Sequence, residues 1–93
     1  MKRFIIERNI PGAGSLTQQQ IDSVTKESNS VLESMKGNIL WESSVISEDK
    51  IYCFYLADNI DLIKKHAELS NLPADQINEI KGEKFSGIVS KLA

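Results

Sequence analysis

Two side chains with broad chemical capability occur once each in this sequence: His66 is the only histidine and Cys53 the only cysteine among 93 residues. A neutral imidazole can bind nickel or zinc, or act as a general base near neutral pH. A histidine can equally be a core residue that is hydrogen-bonded to a neighbour. His66 follows Leu62 by four residues and Ile63 by three, which places it on or beside the apolar stripe of a predicted helix. Both interpretations stay open.

Cys53 lies in the middle of the apolar segment KIYCFYLAD. A buried free cysteine usually behaves as a small hydrophobic residue. To act as a nucleophile it would need a neighbouring cation that stabilises the thiolate, and none is adjacent in sequence. One cysteine also excludes an internal disulfide and a cysteine-rich zinc site.

Carboxylates interrupt two segments that otherwise read as apolar strands, at Glu7 and Glu42. A carboxylate in mid-strand is either exposed or buried with a partner, because burying it alone is costly. One interpretation is a small acidic cleft in which Glu7, Glu42 and Tyr55 join His66 to hold a metal or a small polar ligand. The alternative is a paired glutamate, for which Arg8 beside Glu7 is a candidate partner.

The length and charge of the chain restrict the classes of function. Ninety-three residues are typical of one domain, with a core at about 2–81 and a C-terminal extension at 82–93. The net charge of −2 argues against nucleic acid as a partner, since such proteins carry concentrated basic surfaces. The first residues, MKRFIIERN, resemble neither a signal peptide nor a membrane anchor, so a cytoplasmic location is expected.

The order of predicted elements is strand, helix, strand, strand, helix, strand. Thr17 and Gln20 form the pattern of a capping box before the first helix, and Gly37 ends that helix. Asp58 or Asn59 caps the second helix. This order predicts an α+β, ferredoxin-like (βαββαβ) domain with an antiparallel sheet and both helices on one face. The weak apolar pattern of Phe85, Ile88, Val89 and Leu92 predicts a short C-terminal helix.

The turn SEDK joins the two middle strands and sets their register if Ile46 pairs with Ile51. The predicted opposite pairs are Ser44–Cys53 and Glu42–Tyr55 on one face, and Val45–Tyr52, Ser43–Phe54 and Trp41–Leu56 on the other. The second of these strands is apolar on both faces, which is typical of strands that are covered on both sides. The helices suffice for one face, so a second subunit is expected to cover the other.

Four segments make the sequence resemble a family of small bacterial ferredoxin-like proteins of unknown function that includes a nickel-binding member. They are FIIERNIPG (4–12), LT (16–17), ILWESSVISEDKIYCFYLAD (39–58) and IKKHAELSNLPADQINEI (63–80). The resemblance implies a dimer built on the ferredoxin-like fold and an affinity for a divalent transition metal such as nickel. This chain has Leu56 where the family often has an acidic residue, and EKFSGIVSKLA where the family has a proline-threonine tail.

These observations predict a small non-catalytic homodimeric protein that binds a divalent transition metal or a small ligand. His66 would supply an imidazole, and Glu7, Glu42, Cys53 and Tyr55 are the other candidate binding residues. The alternative is a dimeric ferredoxin-like enzyme of monooxygenase or isomerase type, with Tyr55, His66 and Glu42 as the polar groups of a cleft between sheet and helices. A structural or regulatory dimer without a site is the third hypothesis.

Overall fold

A computed structural model describes residues 1–84, in which the predicted order of elements is confirmed. None of the described helices is long and apolar enough to cross a membrane. The predicted helix at Phe85–Leu92 lies outside the described residues. The elements are β1 (Lys2–Asn9), a 3-10 turn (Ala13–Ser15), α1 (Gln18–Ser34), β2 (Ile39–Ile46), β3 (Lys50–Ala57), α2 (Ile60–Leu69) and β4 (Gln76–Glu79).

The four strands form one sheet in the order β2-β3-β1-β4, and every neighbouring pair is antiparallel. Both helices pack on the same face of this sheet: Leu32 of α1 and Ile63 of α2 join the hydrophobic cluster built on Phe4 and Ile6 of β1. The architecture is therefore α+β, as predicted, and it is compatible with the ferredoxin-like fold.

Local signals start the helices as the sequence predicts, whereas α1 ends at Ser34 with Met35 as its C-cap, before the predicted Gly37. The Thr17 hydroxyl accepts a hydrogen bond from the amide of Gln20 at 3.2 Å, and the Gln20 side chain accepts one from the amide of Thr17 at 2.9 Å. Asn59, rather than Asp58, caps α2 by accepting a hydrogen bond from the amide of Leu62 at 3.2 Å. These bonds satisfy amide groups that lack a partner within the helix.

Successive side chains of each strand point to opposite faces of the sheet, and the two faces differ in how they are covered. The helix face is covered by α1 and α2, whereas the open face is not covered by any described element. The helix face contains Phe4, Ile6, Arg8, Cys53, Tyr55 and Ala57, all buried. The open face contains Arg3, Ile5, Glu7, Leu40, Val45, Tyr52, Phe54 and Leu56.

The register of the β2–β3 hairpin agrees with prediction from its turn as far as Ser43 and then departs from it. Ile46–Ile51, Val45–Tyr52, Ser44–Cys53 and Ser43–Phe54 are confirmed. The pairs Glu42–Tyr55 and Trp41–Leu56 are wrong, because the register shifts between Trp41 and Ser43 and Trp41 pairs with Tyr55. An extra residue in one strand leaves Glu42 without a cross-strand partner and returns Trp41 to the helix face. Trp41 therefore does not share a face with Tyr52 and Phe54.

Candidate ligand-binding site

A cavity of about 520 Å³ lies between α1 and the helix face of the sheet. Leu72 and Pro73, in the loop before β4, form part of its wall. Val24 and Ile46 line the cavity and are 43% and 41% exposed, so it opens to solvent beside them. Most of the remaining wall is apolar: Ile10, Leu16, Ile21, Trp41 and Ile51.

The polar groups of the cavity come from several elements that are distant in sequence. β1 contributes one residue, and α1, β2 and β3 contribute the others. An apolar cavity with a few polar groups from different elements is the usual form of a small-molecule site. The polar residues that line it are Arg8, Thr25, Ser28, Ser44, Cys53 and Tyr55.

Cys53 is 5% exposed and is held by a short chain of hydrogen bonds. The indole Nε1 of Trp41 donates to the hydroxyl of Ser44 at 3.0 Å, and that hydroxyl donates to Sγ of Cys53 at 3.0 Å. This chain exists because the bulge at Glu42 brings Trp41 to the same face as Ser44. Cys53 is buried in mid-strand, as the sequence predicts, and it lies on the cavity wall. Its role as a binding residue stays a prediction.

Arg8 is the most unusual residue of the cavity, because its side chain is charged and only 1% exposed. Its Nη1 donates to the carbonyl of Pro73 at 2.6 Å. Its Nη2 lies 3.5 Å from the hydroxyl of Tyr55, and its Nε lies 3.5 Å from Sγ of Cys53. The position of Arg8 next to Glu7 in sequence predicts an ion pair between them, whereas the alternation Phe4, Ile6, Arg8 already indicates that Arg8 shares the buried face.

Tyr55 is 2% exposed and links the cavity to the core. Burial raises the pKa of Tyr55 above its ordinary value, an effect that the neighbouring Arg8 partly opposes. Tyr55 therefore keeps its proton at neutral pH and presents a neutral hydroxyl beside the guanidinium. The role of Tyr55 as a binding residue stays a prediction, and the structure places Arg8 next to its hydroxyl.

His66 lies behind Tyr55 and is not among the residues that line the cavity. The two rings are 5.2 Å apart between centroids and tilted by 53°. Nε2 of His66 lies 3.2 Å from the hydroxyl oxygens of both Ser28 and Ser70. Burial, followed by the positive charge of Arg8, lowers the pKa of His66 below its ordinary value, so the ring is neutral at neutral pH.

Glu7 and Glu42 lie on the other side of the sheet from Tyr55 and His66. Glu7 is 3.4 Å from Nζ of Lys50, not paired with Arg8, and Glu42 accepts a hydrogen bond from Nε of Arg3 at 2.8 Å. The predicted cleft of Glu7, Glu42, Tyr55 and His66 is therefore divided by the sheet. The reason is the two-residue alternation of strands, which sends Glu7 and Arg8 to opposite faces.

The described residues of one chain do not form a ready site for a metal ion. Within residues 1–84 there is no group of three or more histidine, cysteine, aspartate or glutamate side chains that could hold one. His66 is 1% exposed, and a metal bound through Nε2 would have to displace the hydroxyls of Ser28 and Ser70. The nearby donors in the cavity are a thiol, hydroxyls and a guanidinium, which do not make up a nickel ligand set.

The chain is similar to known proteins in both fold and sequence. A crystal structure of SCO4226 from Streptomyces coelicolor A3(2) matches with a TM-score of 0.74 and 18% identity, over 88% of this chain and 99% of that chain. At 18% identity, this structural similarity shows a shared fold and nothing about function. Among curated proteins, none matches this chain. The model of the family described as "Nickel responsive protein SCO4226-like" matches residues 4–80, so the chain belongs to the SCO4226-like family.

Proposed function

We propose that this protein is a small non-catalytic binding protein, and that its binding site is the cavity between α1 and the helix face. The observation that carries the proposal is the cavity itself, about 520 Å³ in volume and lined mainly by apolar side chains. This volume lies within the range of about 300–1,000 Å³ that is usual for small-molecule sites. The ligand class that follows from these dimensions is a small organic molecule.

The composition of the wall favours binding over catalysis. Among the described lining residues there is no carboxylate and no histidine, the usual general bases near neutral pH. The enzyme alternative with Tyr55, His66 and Glu42 would need Glu42 and His66 to reach a common substrate, and the sheet separates them. Turnover of a compound that occupies the cavity would be the observation that favours an enzyme.

A fluorescent apolar probe without charge, phenylnaphthylamine, tests the cavity directly. We expect saturable fluorescence enhancement in the parent protein that is lost or strongly weakened in Thr25→Trp, where the larger ring occupies the cavity. Lys26→Trp is the matched control, since Lys26 is the next residue of α1 and is exposed. Equal binding by both variants, or no binding by the parent, would contradict the proposal.

The homodimer is the second part of the proposal. The open face carries the apolar residues Leu40 and Val45, which are 51% and 54% exposed, together with Tyr52, Phe54 and Leu56. A second copy with the same face would bury these side chains in a symmetric interface. The cavity lies on the opposite face, so dimer formation would leave its mouth accessible.

Nickel is a second candidate ligand, and the family description is the observation that favours it. A nickel site in this member would need ligands from a second subunit, or a rearranged His66, because one described chain offers no three-residue set. Leu56, the departure from the family pattern, lies on the open face beside Arg3. Calorimetric titration of metal-stripped protein with nickel is the test. Saturable binding that disappears in His66→Ala would support His66 as a ligand, whereas heat equal to dilution would contradict the nickel candidate.

A further inference from the structure

Arg8 is a buried cation with no anion beside it among residues 1–84. Among the described residues, Arg3, Lys50 and Lys81 each lie within ion-pair distance of a glutamate. These three cations are on the surface, where water already solvates their charge. Arg8 is 1% exposed, and no carboxylate of the described residues lies within 4 Å of its guanidinium. These three surface cations therefore have a counter-charge nearby, whereas the buried cation has none among the described residues.

A guanidinium carries its positive charge in proteins whether it is exposed or buried. Burial of a charge is costly unless the charge is paired and fully hydrogen-bonded. The field of Arg8 extends to its neighbours, since it contributes to the lowered pKa of His66. Its partners are a carbonyl, a hydroxyl and a thiol, all neutral groups in their ordinary states.

The hydrogen bonds of Arg8 leave donors for a ligand. A guanidinium has five N–H groups. The contacts to Cys53, Pro73 and Tyr55 use one each on Nε, Nη1 and Nη2. One N–H on each Nη atom therefore has no partner among the described residues. Two such donors match the two oxygens of a carboxylate, the pairing that arginine makes most effectively.

We propose that the cavity binds an organic anion that consists of an apolar body and one anionic head, of which a carboxylate is the type. The head is held by the free Nη donors of Arg8 beside the hydroxyl of Tyr55. The body lies against the apolar wall formed by residues such as Leu16, Ile21 and Ile51. This inference rests on the proposed function, because it names the chemical class that the proposed site selects.

Two dyes of similar shape separate the inference from the proposed function. Anilinonaphthalene sulfonate carries an anionic head, and phenylnaphthylamine is its uncharged counterpart. We expect the anionic dye to bind the parent at least about tenfold more tightly than it binds Arg8→Met, the scale of one or two charged hydrogen bonds. The readout is the affinity for the anionic dye divided by the affinity for the uncharged dye in each protein, so that a general change of the cavity in Arg8→Met cancels. Arg3→Met, which removes the same charge from the opposite face of β1, is expected to bind both dyes as the parent does.

The outcomes are distinguishable. If neither dye binds the parent, the proposed function fails together with the inference. If the uncharged dye binds and Thr25→Trp blocks it, but Arg8→Met leaves the anionic dye unaffected, the inference is overturned and the proposed function stands.

A measurement on the parent alone keeps the inference testable if Arg8→Met does not fold. Octanoate and octanol are titrated as competitors against bound phenylnaphthylamine. Octanoate is expected to displace the dye at a concentration about tenfold lower than octanol. Equal or better displacement by octanol overturns the inference.

Discussion

Ser28 of α1 and His66 of α2 meet in the buried layer beneath the cavity, with 3.2 Å between the serine hydroxyl and Nε2 of the imidazole. Ser28 is 6% exposed and His66 is 1% exposed. This contact joins the two helices across a stripe that is otherwise apolar, and Ser70 completes the surroundings of Nε2. We expect a polar pair in this position to make the packing of the helices sensitive to protonation of His66.

Stability is expected to fall as the pH is lowered from about 7.5 to about 5.5. The pKa of His66 is lowered in the folded state, by burial and by Arg8, so the unfolded chain takes up the proton first as the pH falls below about 6.5. Protonation therefore favours unfolding by up to about 1.4 kcal/mol per pH unit. Above the unfolded pKa, both states are neutral and the contribution to stability is constant.

The free energy of unfolding in urea, measured across this pH range for the parent and His66→Gln, tests that expectation. Glutamine keeps a hydrogen-bonding side chain near Ser28 and does not titrate. The free energy of unfolding should change less steeply with pH in His66→Gln than in the parent. The same slope in both proteins would mean that His66 is not the group responsible.

Ser28→Ala is expected to destabilise the protein by about 1 kcal/mol relative to a matched control, since the variant removes one hydrogen bond to a buried imidazole. The control is Ser30→Ala, which makes the same change at an exposed position of α1 and includes the same gain in helix propensity. Chemical denaturation of both variants is the measurement. If the two have the same stability, the contact between Ser28 and His66 does not contribute measurably.

Gly14→Ala is expected to lower the free energy of unfolding by about 1–2 kcal/mol, because the added Cβ would crowd the backbone of the β2–β3 turn. That atom would lie 3.0 Å from Cα of Glu48 and 3.1 Å from the carbonyl oxygen of Ser47. Gly82→Ala is the control, since nothing lies within 4 Å of its added Cβ. Thermal unfolding compares the two, and equal melting temperatures would show that the turn yields without cost.

Val45→Glu is expected to shift the protein from dimer towards monomer. Val45 is 54% exposed on the open face, so a charge there would be buried by a second copy but tolerated in the single chain. Asn29→Glu, on the exposed surface of α1, adds the same charge away from that face. Light scattering after size-exclusion chromatography gives the masses. A monomeric parent, or a Val45→Glu variant of unchanged dimer mass, would contradict the open-face interface.

The sequence by itself determined the features that depend on near neighbours. The capping box at Thr17, the cap of α2 at Asn59 and the pairing of Ile46 with Ile51 across the turn are each set by a few adjacent residues. The order of strands and helices follows from such signals in series. For this reason the predicted elements agree closely with the structure.

The faces on which functional side chains lie were decided by the tertiary structure. One additional residue at Glu42 moves the residues that precede it in β2 to the face opposite to the one predicted. No local sequence pattern predicts this bulge. It moved Trp41 to the cavity, and the alternation of β1 separated Glu7 from Arg8. The burial of Arg8 with no carboxylate of residues 1–84 within 4 Å of it depends on the distances between elements remote in sequence. Hydrogen bonds of adjacent residues can be inferred from the chain, whereas the surroundings of a buried charge exist only once the sheet and helices have packed.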